Sequence, residues 1–141
     1  MKICFATKKD SENIINYFDK NLKKEDFWKD FKDDFYEYFC PFWVRRAIKR
    51  NEIILFKNKE NIIWALRFYP RKNSKIASLY QFAFDESIKN RKIFPKILEF
   101  ISFNEFQTQC FKNSKLNNYL EKQGFEIIKS DEKINYFRLK I

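Results

Sequence analysis

Apolar and polar positions alternate along this chain with a period that switches several times between that of a strand and that of a helix. Residues 2–6 predict a short strand. Thr7 and Asp10 then stand at capping-box spacing, where the Thr hydroxyl and the Asp carboxylate satisfy free backbone N–H groups at a helix start. Ile14, Ile15, Tyr17, Phe18 and Leu22 follow on one helical face. Residues 25–39 predict a second helix in which Phe27, Phe31, Phe35, Tyr38 and Phe42 recur every three or four positions. Asp26, Asp30, Asp33, Asp34 and Glu37 decorate its remaining surface, so the aromatic stripe reads as a core-facing side. Pro41 is expected to break or kink that helix, which resumes over 42–50.

After Asn51 the period becomes two. Strands are predicted over 53–56, 62–69 and 75–84, joined by a polar turn at 58–61 and a loop at 70–74. In the last of these, Ile76, Ser78, Tyr80, Phe82 and Phe84 fall on one side and Ala77, Leu79, Gln81 and Ala83 on the other. This is an antiparallel meander whose central strands are apolar on both faces, so each face needs a cover. A helix over 92–103, a strand over 105–111, a helix over 114–123 and strands over 126–129 and 135–140 complete the pattern. Gly124, the single glycine, stands where a helix C-cap demands a positive φ. The element order alone specifies a mixed α/β or α+β domain, and 141 residues fit one domain, 1–141.

Composition changes this picture little. With 45% hydrophobic and 20% aromatic residues the chain can build a core, which excludes a disordered class. The 18 Phe, together with abundant Lys, Asn and Ile, match the bias of an AT-rich genome and carry little functional weight by themselves. Charge is more telling, because the net +10 is concentrated: residues 41–75 hold ten Lys or Arg against two Glu. Such a segment attracts phosphates of a nucleic acid or nucleotide cofactor, or simply forms a solvated surface. Cys4, Cys40 and Cys110 are too scattered for a disulfide framework or a metal site, and histidine is absent, which removes the commonest metal ligand and general base. No apolar run approaches a membrane span or a cleavable leader, so a cytoplasmic protein is expected, with no membrane partner.

The C-terminal segment carries a motif. Asn113, Leu116, Glu121, Lys122, Gly124 and Phe125 stand in the spacing of the signature of the GNAT superfamily of N-acetyltransferases, and the opening strand with Thr7 and Asp10 before a helix also resembles that family. The resemblance implies one GNAT-like domain: a central, mostly antiparallel sheet with helices on both faces. It implies acetyl-CoA as cofactor, with the fourth strand splaying from its neighbour, a strand N–H polarising the thioester carbonyl and the next helix start binding pyrophosphate. In this chain that strand end is Phe82, Ala83 and Phe84, and the loop is Lys89, Asn90, Arg91, Lys92, Ile93 and Phe94. Asn113 joins this cofactor-binding set.

The loop departs from the family's glycine-rich form: Lys89 stands at the arginine position, Lys92 at the first glycine and Phe94 at the second small residue. Either Lys89, Arg91 and Lys92 replace backbone contacts with side-chain charge, or Phe94 fills the pyrophosphate site and CoA is lost. The family's acid tyrosine, four residues before Gly124, is Leu120 here. Tyr119 is one residue earlier and about 100° around the helix, a position that favours packing over proton donation. Asp85 and Glu86, at the strand's end, are the nearest general-base candidates, and Cys110 is at most a lone buried thiol or an acyl carrier.

Two functions follow from these residues. One is an N-acyltransferase that moves an acetyl or related acyl group from CoA to an amine, with the residues over 25–50 lining the acceptor pocket. The other is a non-catalytic GNAT relative that binds nucleic acid or a protein partner, or that modifies DNA bases; basic residues interleaved with aromatics, as at Arg67, Phe68, Tyr69, Arg71 and Lys72, suit a phosphate backbone. Exposed sheet edges leave room for a homodimer.

Overall fold

The computed structural model describes residues 1–21, 41–72, 74–85 and 92–141. The helix expected over 25–39, with Leu22 and Cys40, lies outside them, and so do Glu86, Lys89, Asn90 and Arg91.

The chain begins with β1 (Lys2–Phe5), a 3-10 turn (Lys8–Asp10) and α1 (Ser11–Asn21). Asp10 ties this start together. Its carboxylate accepts the Thr7 N–H at 2.8 Å and the Thr7 hydroxyl at 3.0 Å. It also accepts from Lys57 Nζ, on the strand paired with β1, at 2.7 Å. The cap expected from sequence is therefore also a lock between helix and sheet. Next comes α2 (Pro41–Lys49). Pro41 opens this helix, where a missing N–H costs nothing in the first turn. Asn51, at φ 57°, ends it, with Asn51 N–H donating to Ile48 O and Glu52 N–H to Ala47 O.

Three antiparallel strands follow, β2 (Ile53–Asn58), β3 (Asn61–Pro70) and β4 (Ile76–Phe84), then α3 (Ile93–Ile101), β5 (Glu105–Phe111), α4 (Leu116–Lys122), β6 (Glu126–Ser130) and β7 (Ile134–Lys140). The described strands form one sheet in the order β1-β2-β3-β4-β5-β7-β6, in which only β4 and β5 run parallel. That is the mixed, mostly antiparallel sheet the element order implied. β1 and β6 are its outer strands.

Both faces are covered, for the reason the two-sided apolar strands suggested. On one face Ile14 and Phe18 of α1 and Val44, Ala47 and Ile48 of α2 pack on Ile53, Leu55, Ala65 and Ala83. On the other, Ile93, Phe94, Ile97 and Leu98 of α3 and Leu116 and Leu120 of α4 pack on Ile54, Trp64, Leu66, Phe82, Phe106 and Phe137. Trp64 centres this second core, with its ring 4.5 Å from Phe84, 5.2 Å from Phe94 and 6.2 Å from Phe82. Phe42, expected on the core side of its stripe, is instead 63% exposed on α2.

Gly124 adopts φ 96°, and the Phe125 N–H reaches back to Leu120 O while its own N–H reaches Glu121 O. This is the six-to-one and five-to-two pattern of a helix C-cap. Ser102, at φ 60°, ends α3 in the left-handed region without a glycine, its N–H donating to Leu98 O at 3.2 Å. Among the described residues no helix is long and apolar enough to cross a membrane.

Burial alone would push the Asp10 carboxyl up, but the Lys57 ammonium and the Thr7 donors outweigh it and hold the group below the usual carboxylate range. Its contribution is therefore complete above the unfolded value of about 3.9 and is lost as pH falls through the folded value. Asp10→Asn is expected to cost about 1–2 kcal/mol in urea unfolding at neutral pH. The gap to wild type should close as the pH is lowered below about 4.

Candidate active site

β4 and β5 run side by side for only three residue pairs: Ile76 with Glu105, Ala77 with Phe106 and Ser78 with Gln107. Beyond Ser78 the ladder stops, although β4 continues to Phe84 and β5 to Phe111. The last tie is a side chain, Thr108 Oγ1 donating to Leu79 O at 3.1 Å. From Leu79 onward β4 is held by β3 on one edge, and its other edge has no strand partner among the described residues.

A bulge sits at the same place. β3 pairs Phe68 with Leu79 and Arg67 with Gln81, so Tyr80 is an extra residue in β4. The bulge overturns the strict alternation expected for this strand. Leu79 and Phe82, three positions apart, share the α3/α4 core, and Ala83 belongs to the α1/α2 core. The Arg67 guanidinium lies over the Tyr80 ring at 5.0 Å. Gln81 is 1% exposed, and both polar atoms of its side chain lack a hydrogen-bond partner among the described residues.

The residues singled out from sequence fall around this parting as follows. Phe82, Ala83 and Phe84 form the stretch of β4 that has left β5, paired with Leu66, Ala65 and Trp64. Lys92 is exposed at the start of α3, and Ile93 and Phe94 are its first helical residues. Phe94 is fully buried, stacked on Trp64, Phe82 and Phe125. Its ring thus lies in the core and not in a loop where a phosphate would sit. Asn113 is exposed in the turn after β5. Asn117 shapes that turn, its Nδ2 donating to Phe111 O, Lys112 O and Ser114 O at 2.7–3.1 Å and its Oδ1 accepting from Asn135 at 2.9 Å.

Tyr119 is 5% exposed, its ring 5.1 Å from Phe84 and 6.0 Å from Phe94, and burial raises its phenol well above the ordinary tyrosine value. Leu120, one position on, is buried as well. Asp85 is exposed at the end of β4. It is five residues beyond Tyr80, about 16 Å along an extended strand, and its charge reaches Tyr17 of α1. Cys110 is fully buried and its thiol donates to Asn117 Oδ1 at 3.3 Å.

Sequence reasoning missed a cleft of about 90 Å³ at the apex of the parting, lined by Arg71, Ser78, Tyr80, Gln107, Gln109 and Tyr136 among others. Ala77, Leu79, Phe106 and Phe137 face the α3/α4 core. The alternate residues Ser78, Gln107 and Tyr136 therefore place the cleft on the opposite face. A local signal existed. Within β4 the apolar series Ala77, Leu79 is interrupted by Gln81 while Phe82 takes its place, a change of parity that marks a bulge.

No family model matches this chain, and no curated protein sequence matches it either. Solved structures do. A GNAT-family acetyltransferase from Listeria monocytogenes superposes with a TM-score of 0.72 at 15% identity, over 99% of this chain and 94% of that one. PaiA N-acetyltransferase from Thermoplasma acidophilum, in complex with coenzyme A, gives 0.74 at 13% identity over 99% and 98%. A GNAT-family acetyltransferase from Streptococcus agalactiae gives 0.75 at 9% identity over 99% and 95%. This chain has the GNAT fold. The resemblance carried by Asn113 through Phe125 thus extends to the whole architecture.

An unpaired buried amide is costly. Gln81→Met is expected to raise the unfolding free energy by about 1 kcal/mol in urea titration. A loss of stability instead would mean that the Gln81 amide is satisfied in the folded chain.

Proposed function

We propose that this protein is a CoA-dependent N-acyltransferase that moves an acetyl or related acyl group to an amine. The observation that carries the reading is the parting of β4 from β5 after Ser78, which leaves one edge of residues 79–84 without a strand partner among the described residues. Backbone N–H and C=O groups need partners. The amide groups of a pantetheine arm and the carbonyl of a thioester offer the same chemistry as a missing strand.

The residues present suit such a ligand. Phe82, Ala83 and Phe84 lie on the edge that has no strand partner among the described residues. Phe94 is turned into the core, so its bulk does not occupy the phosphate position, and Lys92 stands exposed at the N-terminus of a nine-residue helix. Its charge adds to the helix dipole in holding a pyrophosphate. Lys89, Asn90 and Arg91 are assigned to the same loop on sequence alone. Asn113 borders the site from the turn after β5. Acetyl-CoA bound there would supply an activated acyl group. Backbone donors at the β4 edge near the bulge stabilise negative charge developing on the carbonyl oxygen. The cleft admits the amine from the opposite face. Its proton leaves to water in the open cleft, with Asp85 and Glu86 as candidate acceptors further along. Tyr119 is the candidate proton donor to the thiolate.

The experiment is calorimetry with acetyl-CoA and CoA on wild type and Lys92→Glu. Wild type should bind, and Lys92→Glu should weaken binding about 10-fold or more, the effect of losing one charge-assisted contact and adding repulsion. No heat with wild type contradicts the acyltransferase reading, and unchanged affinity in Lys92→Glu contradicts the loop assignment. Tyr119→Phe then tests the acid: a fall in turnover of about 100-fold supports it, and unchanged turnover leaves the ring as packing.

A nucleic-acid-binding relative has one observation in its favour. α2 presents Arg45, Arg46, Lys49 and Arg50 beside exposed Phe42, with the Arg46 guanidinium 5.1 Å over the Trp43 ring. Oligonucleotide binding that falls steeply with salt would support it.

A further inference from the structure

Ten of the described residues line the cleft at the apex of the β4/β5 parting, and Arg71 is the one charged side chain among them. The other polar groups there, Ser78, Tyr80, Gln107, Thr108, Gln109 and Tyr136, are neutral donors and acceptors. Among the described residues no carboxylate lines the cleft, although two touch its lining: Glu105 accepts from Gln107 Nε2, and Asp131 accepts the Tyr136 hydroxyl at 3.3 Å besides the Lys133 and Ile134 N–H groups.

Arg71 is held for use. Its Nε donates to Ser78 Oγ at 3.3 Å, and among the described residues its two Nη groups donate to nothing. A guanidinium anchored through Nε presents a pair of Nη donors in a plane, the geometry that oxyanions accept. The Arg67 guanidinium lies over the ring of Tyr80, another residue of the lining, at 5.0 Å.

We propose that this cleft is the acceptor subsite and that it takes an amine whose molecule also carries an oxyanion, a carboxylate or a phosphate, bound by Arg71. The inference rests on the acyltransferase reading of the β4/β5 parting and adds the chemical class of the acceptor. Arg71 performs two tasks. Its Nη groups pair with the oxyanion, which fixes the acceptor at the apex where β4 leaves β5. Its charge also lies near the amine and disfavours the ammonium form, so more of the acceptor is the free base that attacks a carbonyl. In that attack the amine nitrogen forms the new C–N bond, the C–S bond breaks, and the amine's proton is lost as the thiolate is released.

The test uses two pairs of amines that differ only in the anion: lysine against cadaverine, and phosphoethanolamine against ethanolamine. Each is titrated into the isotope-labelled full chain and followed by NMR, with the backbone amide signals of Ser78, Gln107 and Gln109 as reporters. One member bearing an anion should bind about 10- to 100-fold tighter than its partner, the effect of one charge-assisted pair. That advantage should vanish in Arg71→Gln and recover in part in Arg71→Lys, while neither substitution weakens the binding of the partner that lacks the anion. The pair that shows the effect identifies the oxyanion. Equal binding or no binding within both pairs, or an advantage that survives Arg71→Gln, overturns the proposal. Because this readout needs no turnover, its failure is distinct from a failure to bind acetyl-CoA, which would refute the acyltransferase reading by itself.

Discussion

Three residue pairs join β4 to β5, and the sheet depends on how they end. A parallel ladder that stops after Ser78 and Gln107 would ordinarily leave two strands fraying. Here each strand is secured on its far side, β4 by β3 and β5 by β7 along its full length. The parting is therefore a rigid fork. Tyr80 inserts one extra residue into β4 at the fork's apex, which bends the strand and hands Phe82 to the α3/α4 core. At that apex the polar cleft meets an edge of β4 that has no strand partner among the described residues.

The aromatic excess acts in support. Trp64, Phe82, Phe84, Phe94, Phe125 and Tyr119 stack in one layer between the free arm of β4 and the helices α3 and α4. Rings packed at 4.5–6.2 Å fix the arm of β4 in place without a strand partner. Compositional bias accounts for how many phenylalanines the chain has. Packing accounts for where these are. The same layer draws Phe94 out of the loop it would otherwise obstruct, so a residue that reads as a blockage in sequence is a core residue in the fold.

Features set by local chemistry were legible in the sequence. The Thr7 and Asp10 cap, the strand over 105–111 and the glycine cap at Gly124 each depend on residues within a few positions of one another. The parting, the bulge and the cleft are relations between segments far apart in sequence. Arg71, Gln107 and Tyr136 meet only because β5 pairs with β7 and leaves β4, and no periodicity within any one strand reports that. Strict alternation was also assumed where Gln81 and Phe82 reverse it. Two-sided apolar strands did show that both faces are covered. The family motif at Asn113 through Phe125 supplied the architecture, and the Asn117 network that shapes the neighbouring turn appeared only in the structure.

The central claim is that the edge of β4 beyond Ser78, which has no strand partner among the described residues, is a ligand edge. It is tested most directly by mapping backbone amide chemical shifts of the labelled chain on addition of CoA. The account predicts the largest changes in residues 79–84 and at the start of α3, with smaller ones in the turn after β5 and little at β1, β2 or β6. Changes centred elsewhere, or none at saturating CoA, would contradict it.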